Sequence, residues 1–167
     1  MRHATANPGS GRDHERSLTD HGEDEAHHVG RWLASAGRAP DRVLSSTALR
    51  CRETWFALSA GLGREVPVEF ESRLYNATPE VLFDSLTDLT ATVGDTGEMT
   101  EESVLLIAHN PGISYLALDL AGEDPAPTPL RSAFAPATTA CFEITSSWAM
   151  LSPSSAHLTC YNAVIDL

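Results

Sequence analysis

The sequence contains no lysine. All 11 of its basic residues are arginine, set against 23 aspartates and glutamates, for a formal net charge of -12. The bias carries no mechanism of its own, but any cationic partner for an anion must then be arginine or histidine. So acidic a balance excludes a nucleic-acid or anionic-membrane binder, since both need an array of cationic contacts. Cysteine is scarce: Cys51, Cys141 and Cys160 are an odd number at wide spacing, with no CxxC. That pattern excludes a disulfide framework and a zinc ribbon, and predicts reduced thiols in a cytoplasmic protein. No apolar run approaches the roughly 18 residues that a membrane-spanning helix needs. The first residues show no apolar segment behind a basic start, which predicts no secretion signal. What is present is ordinary for a globular chain. The 167 residues are 42% apolar with 11 glycines, and they predict one domain over 1–167 with a real core.

Periodicity alternates between helix and strand. Residues 20–36 read as a helix capped by Thr19, with Ala26, Val29, Leu33 and Ala36 at three- and four-residue spacing and Gly37 beyond. A strand is expected over 42–45 and a helix over about 47–60, followed by Gly61 and Gly63. Val66–Phe70 reads as a strand and Pro79–Leu89 as a helix with proline in its first turn. Thr92–Glu102 is expected to be an exposed loop. The continuous apolar run Val104–Ala108 marks a strand buried on both faces. A helix over Pro111–Ala121, a long loop over 122–137 with four prolines, and strands over 139–144 and 156–161 complete the chain, with a short strand possible near Trp148–Leu151. The expected fold class is therefore α/β: three layers, a mainly parallel central sheet and helices on both faces.

In such sheets, ligands bind where strands end and helices begin. The polar residues at those junctions are Arg2 and His3 at the start, Arg50 in the first turn of its helix, and His109 directly after the buried strand. A histidine after a strand is ordinary taken singly, and so is a solvated arginine. Arg50, however, is placed against the helix dipole, which makes it unusual. Two arginines and two histidines converging at strand ends would form an anion pocket on an acidic protein. Arginine suits phosphate because its planar fork donates two parallel hydrogen bonds.

Arg2-His3-Ala4, then Ser46-Thr47-Ala48-Leu49-Arg50 with Glu53-Thr54, then His109-Asn110-Pro111-Gly112, together resemble the histidine phosphatase (phosphoglycerate mutase-like) superfamily. Asp13-His14-Glu15-Arg16-Ser17-Leu18-Thr19 with Gly22, Leu74-Tyr75-Asn76-Ala77 and the Phe134…Thr138-Thr139-Ala140 stretch are similar to its short SixA-type phosphohistidine phosphatases. The ordered set spans nearly the whole chain. The resemblance implies that His3 is the nucleophile and forms a phosphohistidine intermediate. Arg2, Arg50 and His109 would hold the phosphoryl oxygens, with Arg16 and Asn110 as further substrate contacts. No metal or other cofactor is implied, because arginine and histidine supply the positive charge. The expected partner is a phosphorylated protein or a small phosphate ester.

Three departures from the family qualify this. Asn76 stands where an acid is common, which leaves Asp13 and Glu71 as candidate general acids. An imidazole leaving group tolerates that lack better than an alkoxide does, so phosphohistidine is favoured over alkyl phosphates. Thr47 replaces a common proline. The family also places a core strand ahead of the Arg-His pair, where only Met1 stands here. That strand is expected to be missing, leaving His3 on a frayed terminus unless residues upstream of Met1 supply it in the natural protein. The rival readings are a small-molecule phosphomonoesterase of the same fold, a catalytically silent phosphate-binding module, and metal binding through His21, His27 and His28. Most of that last cluster is expected on a solvated helix face with Glu23, Asp24 and Glu25.

Overall fold

The computed structural model describes residues 1–9, 11–89, 103–122, 128–131 and 134–163. Among them run α1 (Asp20–Ser35), β1 (Arg42–Ser46), α2 (Leu49–Leu62), β2 (Val68–Glu71), α3 (Pro79–Thr87), β3 (Val104–Ile107), α4 (Gly112–Ala121), α5 (Thr128–Arg131), β4 (Thr139–Ile144) and β5 (Ala156–Asn162). Thr19 caps α1 as its position predicts: its hydroxyl accepts the Gly22 N–H at 2.9 Å. The loop expected over Thr92–Glu102 lies outside the described residues. Two local expectations are corrected. The proline-bearing stretch contains the one-turn helix α5, whose Pro129 sits in the first turn where its missing N–H costs nothing. Trp148–Met150 is a 3-10 turn, not a strand.

Strands β2, β1 and β3 pair in parallel in that order, and β4 and β5 form an antiparallel ribbon. Side-chain alternation divides the core between two faces. Val43, Leu105 and Ile107 pack with Val29 and Leu33 of α1 and Trp55 and Leu58 of α2. Leu44, Leu106 and Ala108 pack instead with Leu82 and Leu86 of α3 and Leu116 and Leu120 of α4. This is why the 104–108 run has no polar face: both sides of β3 are roofed by helices. Each such buried aliphatic side chain contributes about 1.5–3 kcal/mol. Helices α1 and α2 touch backbone to backbone, and glycine allows it. A Cβ on Gly30 would collide with the Leu58 carbonyl, and one on Gly61 with that of His27. The α/β three-layer fold is thus present, with its parallel sheet between two helical layers.

The frayed terminus is not what the structure shows. Met1–Ala4 runs alongside β3 in the parallel sense, with Arg2 bridged to Ala108. The Met1 amino group donates to the Leu106 carbonyl at 2.8 Å. Ala108 N–H donates to Met1 O and His3 N–H to Ala108 O. On the other side, Arg2 N–H donates to Thr138 O and Ala137 N–H to His3 O. These few residues therefore join the parallel sheet to the β4–β5 ribbon. They are also buried: Met1 is 6% exposed, His3 9% and Ala4 0%. In line with them, a cavity of about 730 Å3 lies between β3 and β4, lined by Met1, Val104, Leu106 and Phe142 and also by Arg38 and Glu143.

Candidate active site

Four strand ends supply the site. His3 comes from the stub beside β3, Ser46 from the end of β1, Tyr75 from the turn after β2, and His109 from just past β3. Arg50, in the first turn of α2 and 3% exposed, is the hub. Its Nε–H donates to His3 Nε2 at 3.2 Å. Its Nη2 donates to His109 Nδ1 at 3.2 Å and to Asp13 Oδ2 at 3.0 Å, and its Nη1 donates to the Asp13 carbonyl at 2.6 Å. The two imidazole rings stand 5.2 Å apart, centroid to centroid.

Guanidinium can only donate, so these contacts fix both tautomers. His3 Nδ1–H donates to the Ala4 carbonyl at 2.8 Å, which leaves a lone pair on Nε2 facing Arg50. His109 carries its proton on Nε2 and donates it to Ser46 Oγ at 2.9 Å, with Cys51 Sγ at 3.5 Å; its Nδ1 is the bare nitrogen. Burial is the main reason neither ring takes a second proton. It pushes the His3 pKa down to about 4, with the charges of Arg50, Arg2 and Arg16 acting in the same direction. His109 is pushed down to about 3 by burial, then by Arg50 and His3.

The remaining expected residues sit around the edge of this cluster. Arg2 Nη1 donates to the Phe134 carbonyl at 2.8 Å, while its buried Nε has no partner among the described residues. Asn110 Nδ2 shares that carbonyl at 2.9 Å, and its buried Oδ1 likewise has no partner among the described residues. Arg16 is turned to the rim, donating to the Asn7 carbonyl and to Asp13 Oδ1 at 3.0 Å. Asp13 receives Tyr75 O–H as well, at 2.6 Å. Hydrogen bonds from Tyr75, Arg16 and Arg50 hold its carboxyl well below the usual range. A carboxylate so held is a poor proton donor. Glu71 stands apart at the end of β2, where Arg73 holds it in an ion pair.

Sequence reasoning missed several contributors. Tyr75 lies edge-on to His109 at 5.4 Å, and His14 lies edge-on to Tyr75 at 4.9 Å. His14 Nε2 also meets Thr47 Oγ1 at 3.0 Å. Thr54 Oγ1 accepts the Ala4 N–H at 3.0 Å, steadying the residue next to His3. Applying the strand-end rule to β2 as well would have found Tyr75. Glu25 is corrected outright. It is 4% exposed, and its carboxylate accepts Thr5 N–H at 2.8 Å and Thr5 O–H at 3.1 Å. His27 and His28 are solvated as expected, and among the described residues no group of three or more metal-ligating side chains converges.

Comparison with known proteins agrees with this geometry. Residues 1–82 match the model of the histidine phosphatase superfamily, branch 1. A protein of Mycobacterium leprae is 31% identical over 97% of this chain and 98% of its own length. The chain belongs to the histidine phosphatase superfamily. Among solved structures, a protein of Nakamurella multipartitia described as a phosphohistidine phosphatase SixA superposes with a TM-score of 0.82. It is 29% identical, over 98% of this chain and 92% of that one. One from Agrobacterium tumefaciens with the same description gives 0.77 at 27% identity, over 98% and 94%. The present histidine phosphatase is SixA-like in fold and carries phosphatase chemistry.

Its pH behaviour follows from the two neutral imidazoles. In the unfolded chain, histidine takes a proton near pH 6.5. In the folded phosphatase, His3 does so at about 4 and His109 at about 3. Between pH 6.5 and 4 the unfolded state therefore binds more protons, and stability falls as pH falls. Each pH unit costs about 1.4 kcal/mol per site. The Met1 amino group, pushed down to about 5 by burial, acts in the same direction. Urea unfolding is expected to show a loss of a few kcal/mol from pH 6.5 to 5, with both imidazoles still neutral by NMR at pH 5. Either ring titrating near 6.5 would contradict the burial-driven depression of its pKa.

Proposed function

We propose that this phosphatase acts through a phosphohistidine intermediate on His3, and that its substrate is phosphohistidine on a protein. The observation that carries the reading is the bare Nε2 of His3. Its ring is pinned by the Nδ1–H bond to Ala4 O and its lone pair faces the Arg50 fork. In the first step Nε2 attacks phosphorus, a new N–P bond forms, and the leaving group departs with the electrons of the broken bond. In the second, water attacks the same phosphorus and frees Nε2. Arg50, Arg2 and His109 meet the charge on the phosphoryl oxygens, mostly by position and electrostatics. The unpartnered Nε of Arg2 offers a donor for this. His109 Nδ1 must gain a proton before it can donate to an oxyanion, so anion binding is coupled to proton uptake.

Leaving-group chemistry supports the substrate class. Asp13 is anionic beside two guanidinium groups, and Glu71 is paired with Arg73. Neither candidate carboxyl is poised to protonate an alkoxide, whereas a departing imidazole draws its proton readily from water. The test compares single-turnover phosphate release from a phosphohistidine-bearing protein with release from an alkyl phosphate monoester at pH 7. The phosphohistidine substrate is expected to be consumed at least about 100-fold faster, the scale of one positioned proton donor. Equal rates would instead favour a small-molecule phosphomonoesterase.

A further inference from the structure

Cysteine supplies a second reactive position, away from the phosphoryl centre. Cys141 of β4 and Cys160 of β5 are register partners in the antiparallel ribbon, directly opposite each other. Opposed residues in such a ribbon have Cα atoms about 4.5 or 5.5 Å apart. Disulfides accept about 4.4–6.8 Å, so the two sulfurs can join with little movement of the strands. Both residues are half-buried and free, so a small oxidant has access. A bulge between Cys141 and Phe142 interrupts the regular ladder beside the pair, and bulges bend the strand and increase its local twist. Cys51 is set apart from the pair: it is 0% exposed and lies against His109.

We propose that Cys141 and Cys160 form a reversible cross-strand disulfide, an oxidation site for peroxide-class oxidants. Either sulfur can attack first, and the electrons balance equally with the two exchanged. The Cys160 thiolate attacks one peroxide oxygen; an S–O bond forms, the O–O bond breaks and hydroxide leaves. Cys141 sulfur then attacks Cys160 sulfur. The S–S bond forms, the S–O bond breaks, and the departing hydroxide takes the Cys141 proton. Two thiols and one hydrogen peroxide thus become one disulfide and two waters, the sulfurs supplying both electrons. An added dithiol reverses the bond by exchange. The link would fall close to the active-site segment, because Thr138, just ahead of β4, accepts the Arg2 N–H.

Native protein treated with stoichiometric hydrogen peroxide, then unfolded and alkylated, tests this by intact mass and peptide mapping. The expected product lacks two hydrogens, carries alkyl groups on Cys51 alone, and regains all three sites after dithiothreitol. Cys160→Ser and Cys141→Ala are each expected to lose the cross-link. Wild-type protein that alkylates at all three positions after peroxide would overturn the proposal. So would direct passage to sulfinic acid without a cross-link, or a cross-link that survives in Cys160→Ser.

Discussion

Replacing His3 with alanine is expected to lower turnover by about four orders of magnitude or more, the scale seen when a covalent nucleophile is removed. The size follows from what remains. Arg50, Arg2 and His109 can still hold the oxygens, but water must then attack the substrate directly, without the intermediate that divides the reaction into two displacements. Two readouts separate this from unfolding. The variant should keep its midpoint of thermal unfolding to within a few degrees, since the His3 side chain makes only two hydrogen bonds among the described residues, donating to the neighbouring Ala4 carbonyl and accepting from Arg50. Rapid-quench samples of the wild type should show an acid-labile, base-stable phosphoryl group on His3, and the variant none. A His3→Ala protein that retains more than about 1% of turnover would remove His3 from the role. Phosphoryl label appearing on His109 would exchange the two imidazoles.

The fold was legible where the signal is local. The α1 cap, Gly37 past α1, Gly63 past α2 and the apolar run of β3 each follow from a few neighbouring residues, and the structure places them so; Gly61, expected beyond the helix end, lies inside α2 against the His27 carbonyl. What stayed hidden depends on distant partners. Glu25 sits in a charged run and reads as solvated. It is buried because α1 packs beneath Thr5, whose backbone N–H needs an acceptor. The Met1–Ala4 stub has no periodicity to detect, and only the two flanking strands make it sheet. Within the site, Arg50, His3 and His109 could be anticipated as a set because they lie at strand ends and their family resemblance is ordered. Their hydrogen-bond pattern could not, since it depends on which ring nitrogen faces the guanidinium. The part of Asp13 was equally invisible: its carboxylate reads as a candidate acid until Tyr75, Arg16 and Arg50 are seen to surround it.

Arg50→Lys is expected to cost about 100- to 1000-fold in kcat/KM, close to the loss of a preorganised oxyanion donor and equivalent to about 2.7–4 kcal/mol. Lysine keeps the charge but not the fork. Arg50 donates through three nitrogens to four acceptors on His3, His109 and Asp13, and a single ammonium cannot span that arrangement. The pH profile should separate the two functions of the residue. With the guanidinium gone, His3 and His109 each lose a nearby positive charge that opposes protonation. Arg50→Met should therefore move both imidazole titrations upward, while Arg50→Lys leaves them nearer the wild type and still loses rate. Burial, the larger cause, remains in both variants, so neither ring should return fully to the ordinary histidine value. If Arg50→Lys kept kcat/KM within about tenfold of the wild type, charge alone would suffice. The bidentate geometry at the centre of the site would then be a structural feature, not a catalytic one.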